Sequence, residues 1–206
     1  MSSHHPTGGP RWTQSFPAVP SPSSFTDIEG STRLLQTLGT RYPDLLEEHR
    51  RLIREAIRAQ DGCEVNTEGD SFFVAFTGAV RAAVAAAEAQ RALEGFPWPG
   101  GLPFRARMGL HTGDAVPVGH DYVGLDVHRA ARICAAGHGG QILVSQATKE
   151  IIEHALPAGL GLRDLGAHRL KDLSKPERLF QLVAPDLPDA FPPLRTLEAI
   201  PNNLPI

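Results

Sequence analysis

The chain has 206 residues, with 20 Lys and Arg residues against 23 Asp and Glu residues and a net charge of -3. This length gives room for one domain with a sizeable core plus tails. A weakly acidic balance argues against a dedicated nucleic-acid binder. No apolar run approaches the roughly 20 residues that span a bilayer, and no basic segment followed by an apolar one marks a signal peptide. We therefore expect a cytoplasmic protein with neither nucleic acid nor a membrane as a direct partner.

The two ends of the chain differ in composition from its middle. Residues 1–24 are rich in Pro, Ser, Gly and His and show little periodicity, which predicts a disordered tail. Proline recurs through residues 185–206, and this pattern predicts a linker-like tail. We expect the folded domain to occupy residues 25–184. Pro20 and Pro22, with serines around them, predict an irregular approach to its first apolar run.

Between these tails, helical and strand-like patterns alternate. Apolar residues at helical spacing predict helices over 31–38, 42–60, 79–93, 125–136 and 146–154. Alternating or short apolar runs predict strands over 63–66, 71–76, 104–111, 114–118, 141–144, 162–165, 168–170 and 179–183. The segment over 114–118 is expected to pair with the strand before it. The mixed order predicts an α+β fold with helices packed on a sheet.

Two aspartates stand out, each at the edge of a short apolar run and beside a glycine. Asp27 lies in the segment FTDIEGST, and Asp70 lies in EGDSFF. Two carboxylates from separate segments can hold two hard cations, the arrangement used in metal-assisted phosphoryl or nucleotidyl transfer. The stretch from Ile28 to Thr32 leads into a helix that Ser31 is predicted to cap, and helix N-terminal amides favour phosphate. The alternative is a pair of turn aspartates, since Asp is common beside glycine in turns.

A second group of polar residues lies in the segment DYVGLDVHRAAR, which runs from Asp121 into a predicted helix. His128 and Arg132 are one turn apart on this helix and suit an anionic ligand, because arginine binds phosphate oxygens as a fork. The alternative is a solvated helix face, since surface charges at this spacing are common. Arg107 and Lys171 are further candidate phosphate contacts, although single basic residues usually face solvent.

Five segments, FTDIEGST, EGDSFF, RMGLHTGD, DYVGLDVHRAAR and LKDL, follow one another between Phe25 and Leu182. Their residues and their order resemble the class III adenylate/guanylate cyclase catalytic domain. The resemblance implies an α+β fold with a ferredoxin-like βαββαβ core, an antiparallel-rich sheet and helices packed on it. It also implies a head-to-tail homodimer with active sites at the interface.

The resemblance assigns metal and phosphate roles to the first group of residues. It implies that Asp27, Asp70 and Ile28 hold two Mg²⁺ or Mn²⁺ ions per site. Arg107 is implied to contact substrate from the same protomer as the aspartates. Further substrate contacts are implied for Ile28, Gly30, Ser31 and Thr32.

Other residues are implied to reach the substrate from the partner protomer. They are Asp121 for adenine recognition, Arg132 for transition-state charge and Lys171 for the triphosphate. His128, a candidate catalytic residue, stands where the family usually has a ribose-contacting asparagine. Asn66 stands where a base-specifying lysine is usual, and it keeps hydrogen-bonding capacity towards a purine but loses the charge.

The implied reaction converts ATP to 3′,5′-cyclic AMP and pyrophosphate. Asp121 favours ATP over GTP, because a carboxylate accepts a hydrogen bond from the adenine amino group. The alternative is a catalytically weak module of the same fold that binds nucleotide or serves regulation. The tail FPPLRTL resembles the linker before an ATPase domain in larger bacterial transcription regulators, which favours that alternative. A diguanylate cyclase is a third interpretation, but EGDSF lacks the second glycine and the glutamate of that family's GGDEF turn.

Overall fold

The computed structural model describes residues 21–118 and 121–197 of the chain. Its strands, in chain order, are β1 Ser21–Ile28, β2 Cys63–Glu68, β3 Ser71–Ala75, β4 Ala106–Gly113, β5 Val116–Val118, β6 Asp121–Val123, β7 Ile142–Ser145, β8 Gly161–His168 and β9 Glu177–Val183. Its helices are α1 Ser31–Leu38, α2 Tyr42–Ala59, α3 Ala79–Gly95, α4 Leu125–Ala136 and α5 Gln146–Ile152. None of the helices in these ranges is long and apolar enough to cross a membrane.

Seven strands form one sheet in the order β2-β3-β1-β4-β7-β9-β8, and β5 and β6 form a separate two-stranded ribbon. Neighbouring strands of the sheet are antiparallel except β4 and β7, which are parallel. The first half of the chain runs β1-α1-α2-β2-β3-α3-β4, which is a βαββαβ unit with β1 inside the sheet. The predicted α+β fold with a ferredoxin-like core and an antiparallel-rich sheet is confirmed.

Helices α2 and α3 cover one face of the sheet. The alternation of side chains along β3 sends Phe72 and Val74 to this face and Phe73 to the other. The apolar stripe that the sequence predicts for α2 is buried against the same face, at His49, Leu52, Ile53, Ala56 and Ile57. The main core therefore combines strand side chains from one side of the sheet with two amphipathic helices.

Helix α4 packs on the opposite face, against β4. Gly109 permits this close approach, because a Cβ atom there would lie 2.8 Å from Cys134 Cα and 2.9 Å from the carbonyl oxygen of Ala130. Burial raises the pKa of the Cys134 thiol to about 12, so this cysteine stays neutral between helix and sheet. The candidate residues of α4 are thereby held on a helix that lies directly on the central strands.

The first strand begins earlier than the sequence predicts. Disorder was expected through residue 24, but β1 starts at Ser21 and pairs with β4 along its whole length. The carbonyl of Pro22 accepts a hydrogen bond from Phe76 N at 2.9 Å. The N–H and C=O groups of one residue point to the same side of an antiparallel strand. The side on which Pro22 lacks an N–H therefore faces the end of β3, so no hydrogen bond inside the sheet is lost. The predicted irregular approach was wrong, and residues 1–20 lie outside the described residues.

The segment after β9 packs on the domain. Residues 185–197 contain no helix or strand, but Leu194 is 7% exposed and belongs to a core cluster with side chains of α4 and β9. Arg163 donates to the carboxylate of Asp189 at 2.5 Å and to its carbonyl at 2.7 Å. The linker prediction therefore does not hold for this segment, because it buries an apolar side chain and pairs with the domain. Residues 198–206 lie outside the described residues.

Two local predictions about strands were wrong. The segment over 114–118 does not pair with β4, because β5 pairs with β6. The strands predicted over 162–165 and 168–170 are a single strand, β8. A register shift before Gly166, which has φ +87°, lets the pairing of β8 with β9 continue through this point.

Candidate active site

The ends of neighbouring strands bring Asp27 and Asp70 together. Asp27 is the penultimate residue of β1, and Asp70 lies with Gly69 in the tight turn between β2 and β3. Gly69 has φ +58°, a left-handed conformation that glycine adopts without strain. Asp70 Oδ2 accepts a hydrogen bond from the backbone N–H of Ile28 at 3.2 Å. The two segments singled out in the sequence are therefore in direct contact.

Arg107 faces Asp27 across the β1–β4 pair, where the two residues are in register. Its Nε and Nη2 atoms donate to Asp27 Oδ1 at 3.0 and 2.7 Å, and Nη2 also donates to Oδ2. Burial raises the pKa of Asp27. The hydrogen bonds and charge of Arg107 act to lower this pKa, and the charge of Asp70 acts to raise it further. Burial acts to lower the pKa of Arg107, but its hydrogen bonds with Asp27 and the charge of that carboxylate outweigh burial and raise it. Positive charge is therefore favoured beside these two half-buried aspartates.

The donor set at this place, which we call the carboxylate site, consists of Asp27 and Asp70 with Arg107 beside them. Its carboxylates and the adjacent backbone carbonyl of Ile28 are hard oxygen donors that suit Mg²⁺ or Mn²⁺. Within the described part of the chain, no group of three or more His, Cys, Asp or Glu side chains is placed to hold a metal ion. Magnesium is commonly bound by one or two carboxylates plus substrate phosphates, so the carboxylate site fits a metal that arrives with a nucleotide.

The chain turns from β1 into α1 at Gly30, which has φ +70°. Gly30 is the N-cap of α1, and its carbonyl accepts from Arg33 N at 2.9 Å and from Leu34 N at 3.1 Å. The predicted cap, Ser31, is instead the first helical residue, because the left-handed glycine makes the turn one residue earlier. The backbone N–H groups of Ser31 and Thr32 have no partner inside the helix, and such groups attract phosphate.

The residues implied to act from a partner protomer lie on other elements. His128 and Arg132 are on α4, Lys171 follows β8, and Asp121 is the first residue of β6, where only its backbone is described. His128 and Lys171 are exposed. Arg132 Nη2 donates to the carboxylate of Asp172 at 2.5 Å, and both side chains are partly exposed. The side chains of His128, Arg132 and Lys171 can therefore be reached from outside the protomer.

This second group does not meet the carboxylate site within one chain. Among the residues that the structure describes, no hydrogen bond or ion pair joins His128, Arg132 or Lys171 to that site. Asn66 is exposed on β2, an edge strand of the sheet, at a register shift after Glu64. One protomer thus presents two separate sets of candidate residues.

Asp126 organises the start of α4, and the sequence analysis did not single it out. Its Oδ2 accepts from Asp114 N at 2.7 Å, and Arg129 donates to its Oδ1 at 2.5 Å. His111 Nε2 lies 3.2 Å from Oδ1, and burial lowers the pKa of His111 while Asp126 opposes that shift. A Cβ atom at Gly113 would overlap the Asp126 carboxylate. The short glycine turn in HTGD is the sequence signal for this contact.

Comparison with known proteins assigns the family. The family model described as the adenylate and guanylate cyclase catalytic domain matches residues 23–182. The chain therefore belongs to the adenylate and guanylate cyclase catalytic domain family. It is 38% identical over 182 residues to an uncharacterized protein of Mycobacterium tuberculosis, covering 87% of this chain and 61% of that protein. The chain thus spans about three fifths of that relative.

Solved cyclase structures share the fold. An adenylate cyclase from Trypanosoma brucei, determined in its monomeric state, matches with a TM-score of 0.78 at 27% identity and covers 89% of this chain and 97% of that one. An adenylate/guanylate cyclase/hydrolase from Silicibacter pomeroyi matches with a TM-score of 0.71 at 29% identity, covering 82% of this chain and 96% of that one. Fold and family together support a nucleotide cyclase, and they do not separate ATP from GTP.

Proposed function

We propose that the chain is an adenylate cyclase that converts ATP to 3′,5′-cyclic AMP and pyrophosphate. The observation that carries this proposal is the hydrogen bond from Ile28 N to Asp70 at the end of β1, next to Asp27 and its partner Arg107, in a chain of the cyclase family. The separation of Arg132 and Lys171 from this site supports a head-to-tail homodimer in which each protomer supplies one half of a site. A cytoplasmic location accompanies the proposal, because ATP is the substrate.

In the proposed reaction, the ribose 3′-hydroxyl loses its proton to solvent, its oxygen attacks the α-phosphorus to form a new P–O bond, and the bond from the α-phosphorus to the pyrophosphate oxygen breaks. Mg²⁺ or Mn²⁺ at Asp27 and Asp70, when bound, would lower the pKa of the ribose hydroxyl and neutralise the leaving group. Once its hydrogen bond with Asp172 has broken, Arg132 stabilises the negative charge on the α-phosphate. Lys171 neutralises the triphosphate and so favours its binding.

Base and sugar recognition are proposed to rest on three residues. Asp121 accepts a hydrogen bond from the adenine amino group, where guanine would present an acceptor oxygen. Asn66 donates or accepts at the purine edge without adding charge. His128 contacts the ribose from the exposed face of α4. These roles favour ATP, with weaker discrimination than a lysine at position 66 would give.

A catalytically weak module that binds nucleotide is the second candidate. It is favoured by the internal pairing of both arginines, Arg107 with Asp27 and Arg132 with Asp172. Asp27 and Asp172 occupy part of the donor set of their arginines, and each of these hydrogen bonds that is exchanged for one to phosphate costs part of the binding free energy. Asn66, which stands where the family usually has a lysine, also favours this second candidate.

The decisive experiment supplies the purified full chain with ATP or GTP and Mn²⁺ and separates cyclic products by chromatography. We expect cyclic AMP from the wild type. The Asp70→Asn variant should lose more than about 100-fold in turnover, because metal ions at such sites stabilise the transition state by several kcal/mol. Asparagine can still accept the hydrogen bond from Ile28 N, so the melting temperature should stay close to that of the wild type.

Asp186→Asn is the matched control, because Asp186 is an exposed aspartate whose partner is Arg91. Its turnover should equal that of the wild type. Full activity in Asp70→Asn would refute the assignment of the carboxylate site. Nucleotide binding without any cyclic product from the wild type would favour the second candidate.

A further inference from the structure

Residues 191–197, which we call the C-terminal strap, are fastened to the connection between α4 and β7. Arg195 N donates to the carbonyl of Ala136 at 2.9 Å. His138 Nε2 donates to the carbonyl of Pro193 at 3.0 Å. These contacts use the backbone of the strap, so they fix its path independently of the Arg195 side chain.

The Arg195 side chain reaches the turn that follows Asp27. It donates to Glu29 Oε1, and Gly139 N donates to Glu29 Oε2 at 3.0 Å. Glu29 N in turn donates to the carbonyl of Arg105 at 2.9 Å. The fit is close, because a Cβ atom at Gly139 would lie 2.9 Å from Glu29 Oε2. Both carboxylate oxygens of a residue two positions after Asp27 are thus held from outside β1.

The same strap contacts the segment that carries Lys171. Leu197 N donates to the carbonyl of Arg169 at 3.1 Å. Leu194 and Leu170, 7% and 2% exposed, belong to one core cluster. The strap therefore touches the chain next to each of the two candidate half-sites of a protomer.

We propose that the C-terminal strap is a positioning element for the metal-binding turn, in which Arg195 holds Glu29 and Glu29 holds the backbone that carries Asp27 and Ile28. This role rests on the proposed cyclase function. Arg195 and Glu29 are positioning residues: Glu29 acts on the metal ligands through the backbone, and the charge of Arg195 in addition acts to lower the pKa of Asp27. These contacts link the residues that follow the strap to the carboxylate site.

The expected effect falls on the site and not on the fold. The Arg195 and Glu29 side chains are 47% and 31% exposed, and ion pairs with that exposure contribute little to global stability. Replacing Arg195 leaves the backbone contacts of the strap and the burial of Leu194 in place. The Glu29 carboxylate would then lose Arg195 and keep Gly139 N and His138, whose Nδ1 lies 3.8 Å from Glu29 Oε1.

The test compares Arg195→Ala, Arg195→Lys and Glu29→Gln with Arg163→Ala in the full chain. Arg163 is the matched control, because it pairs with Asp189 of the same C-terminal segment and has no contact with Glu29. Mn²⁺ is titrated by electron paramagnetic resonance in the presence of α,β-methylene-ATP, which cannot release pyrophosphate. We expect about threefold weaker Mn²⁺ binding in Arg195→Ala and Glu29→Gln, the size of effect of one partly exposed ion pair. Arg195→Lys should recover part of the loss, and the control should match the wild type.

Hydrogen exchange gives a readout that needs no metal or substrate. Backbone amides in residues 25–34 should exchange faster in Arg195→Ala and Glu29→Gln than in wild type or Arg163→Ala. Equal exchange in all four proteins, or an equal acceleration in Arg163→Ala, would overturn the positioning role. If the wild type bound no Mn²⁺ with the nucleotide analogue, the proposed function would fail, and the exchange data alone would decide the role of the strap.

Discussion

The resemblance to the cyclase family places Asn66 where a base-specifying lysine is usual, which makes its effect on base selection open to test. Asn66 lies exposed on β2, at the edge of the sheet, so its side chain is free to extend towards a ligand. A neutral amide forms hydrogen bonds about half as strong as those of a charged donor. Base selection is therefore the property in which the departure should be visible.

We predict that Asn66→Lys raises kcat/KM for ATP and sharpens the preference for ATP over GTP several-fold, since a charge-assisted bond adds about 1 kcal/mol. Steady-state rates with both nucleotides measure this. Asn66→Gln lengthens the side chain without adding charge and serves as the control. A wild type that prefers GTP, or a lysine variant with both rates unchanged, would show that Asn66 does not contact the purine.

At this scale, the sequence predicts the residues whose local signals are strong. Asp27 and Asp70 each lie at the edge of a short apolar run near a glycine, and the structure brings their segments into contact. The Glu29–Arg195 pair joins residues 166 positions apart, so no spacing or periodicity could reveal it. Asp126 was not singled out although the glycine of HTGD is a signal for its contact, because that glycine alone does not say which side chain fills the space beside it.

Among the elements, α4 depends on one small residue beneath it. Its backbone at Ala130 and Cys134 lies so close to β4 that only glycine fits at position 109. Because α4 carries His128 and Arg132, its distance from the sheet sets where those side chains are presented. The packing at Gly109 therefore helps to set the positions of His128 and Arg132.

We predict that Gly109→Ala destabilises the protein by about 1–3 kcal/mol, because the added methyl group overpacks a filled interface. Denaturant unfolding measures this. Gly95→Ala is the control: Gly95 ends α3, nothing lies within 4 Å of the position that its Cβ would take, and alanine there should be neutral or slightly stabilising. A Gly109→Ala protein as stable as the wild type would contradict the close packing of α4.

Elements with a strong period were predictable, and elements fixed by long-range pairing were not. The apolar stripe of α2 and the alanine-rich pattern of α3 place both helices within two residues of their observed ends. The strand predicted over 114–118 contains β5, but its partner β6 was missed because a three-residue strand carries almost no periodic signal. The start of β1 was missed because pairing with β4 overrides the local preference of a proline- and serine-rich segment.

For the whole molecule, the main observation is that no hydrogen bond or ion pair joins the two sets of candidate residues within the described part of one chain. The described contacts attach Arg132 to Asp172 and Arg107 to Asp27. The proposed reaction needs both sets around one nucleotide. The proposed homodimer provides that by placing the second set of one protomer opposite the carboxylate site of the other.

We predict that Asp27→Ala and Arg132→Ala proteins are each inactive and that mixing them restores activity. A mixed dimer holds one intact site and one site with both defects, so activity should approach about half that of the wild type per mixed dimer, provided that the two sites act independently. Cyclic product is measured after the subunits exchange, with mixed dimers verified by two affinity tags. Absence of recovery despite verified mixed dimers would contradict shared sites.

The order of the strands in the sheet has a consequence for how the protein is made. Strand β1 is the first described element to leave the ribosome, yet its sheet neighbours are β3 and β4, and Asp27 lies 80 positions before Arg107. The Glu29–Arg195 contact closes a loop over almost the entire described chain, and such non-local contacts form late and slowly. Because Arg107 lies on β4, Asp27 has no counter-charge from it until β4 has been translated. The Glu29–Arg195 contact beside the carboxylate site forms later still, after the C-terminal strap has left the ribosome.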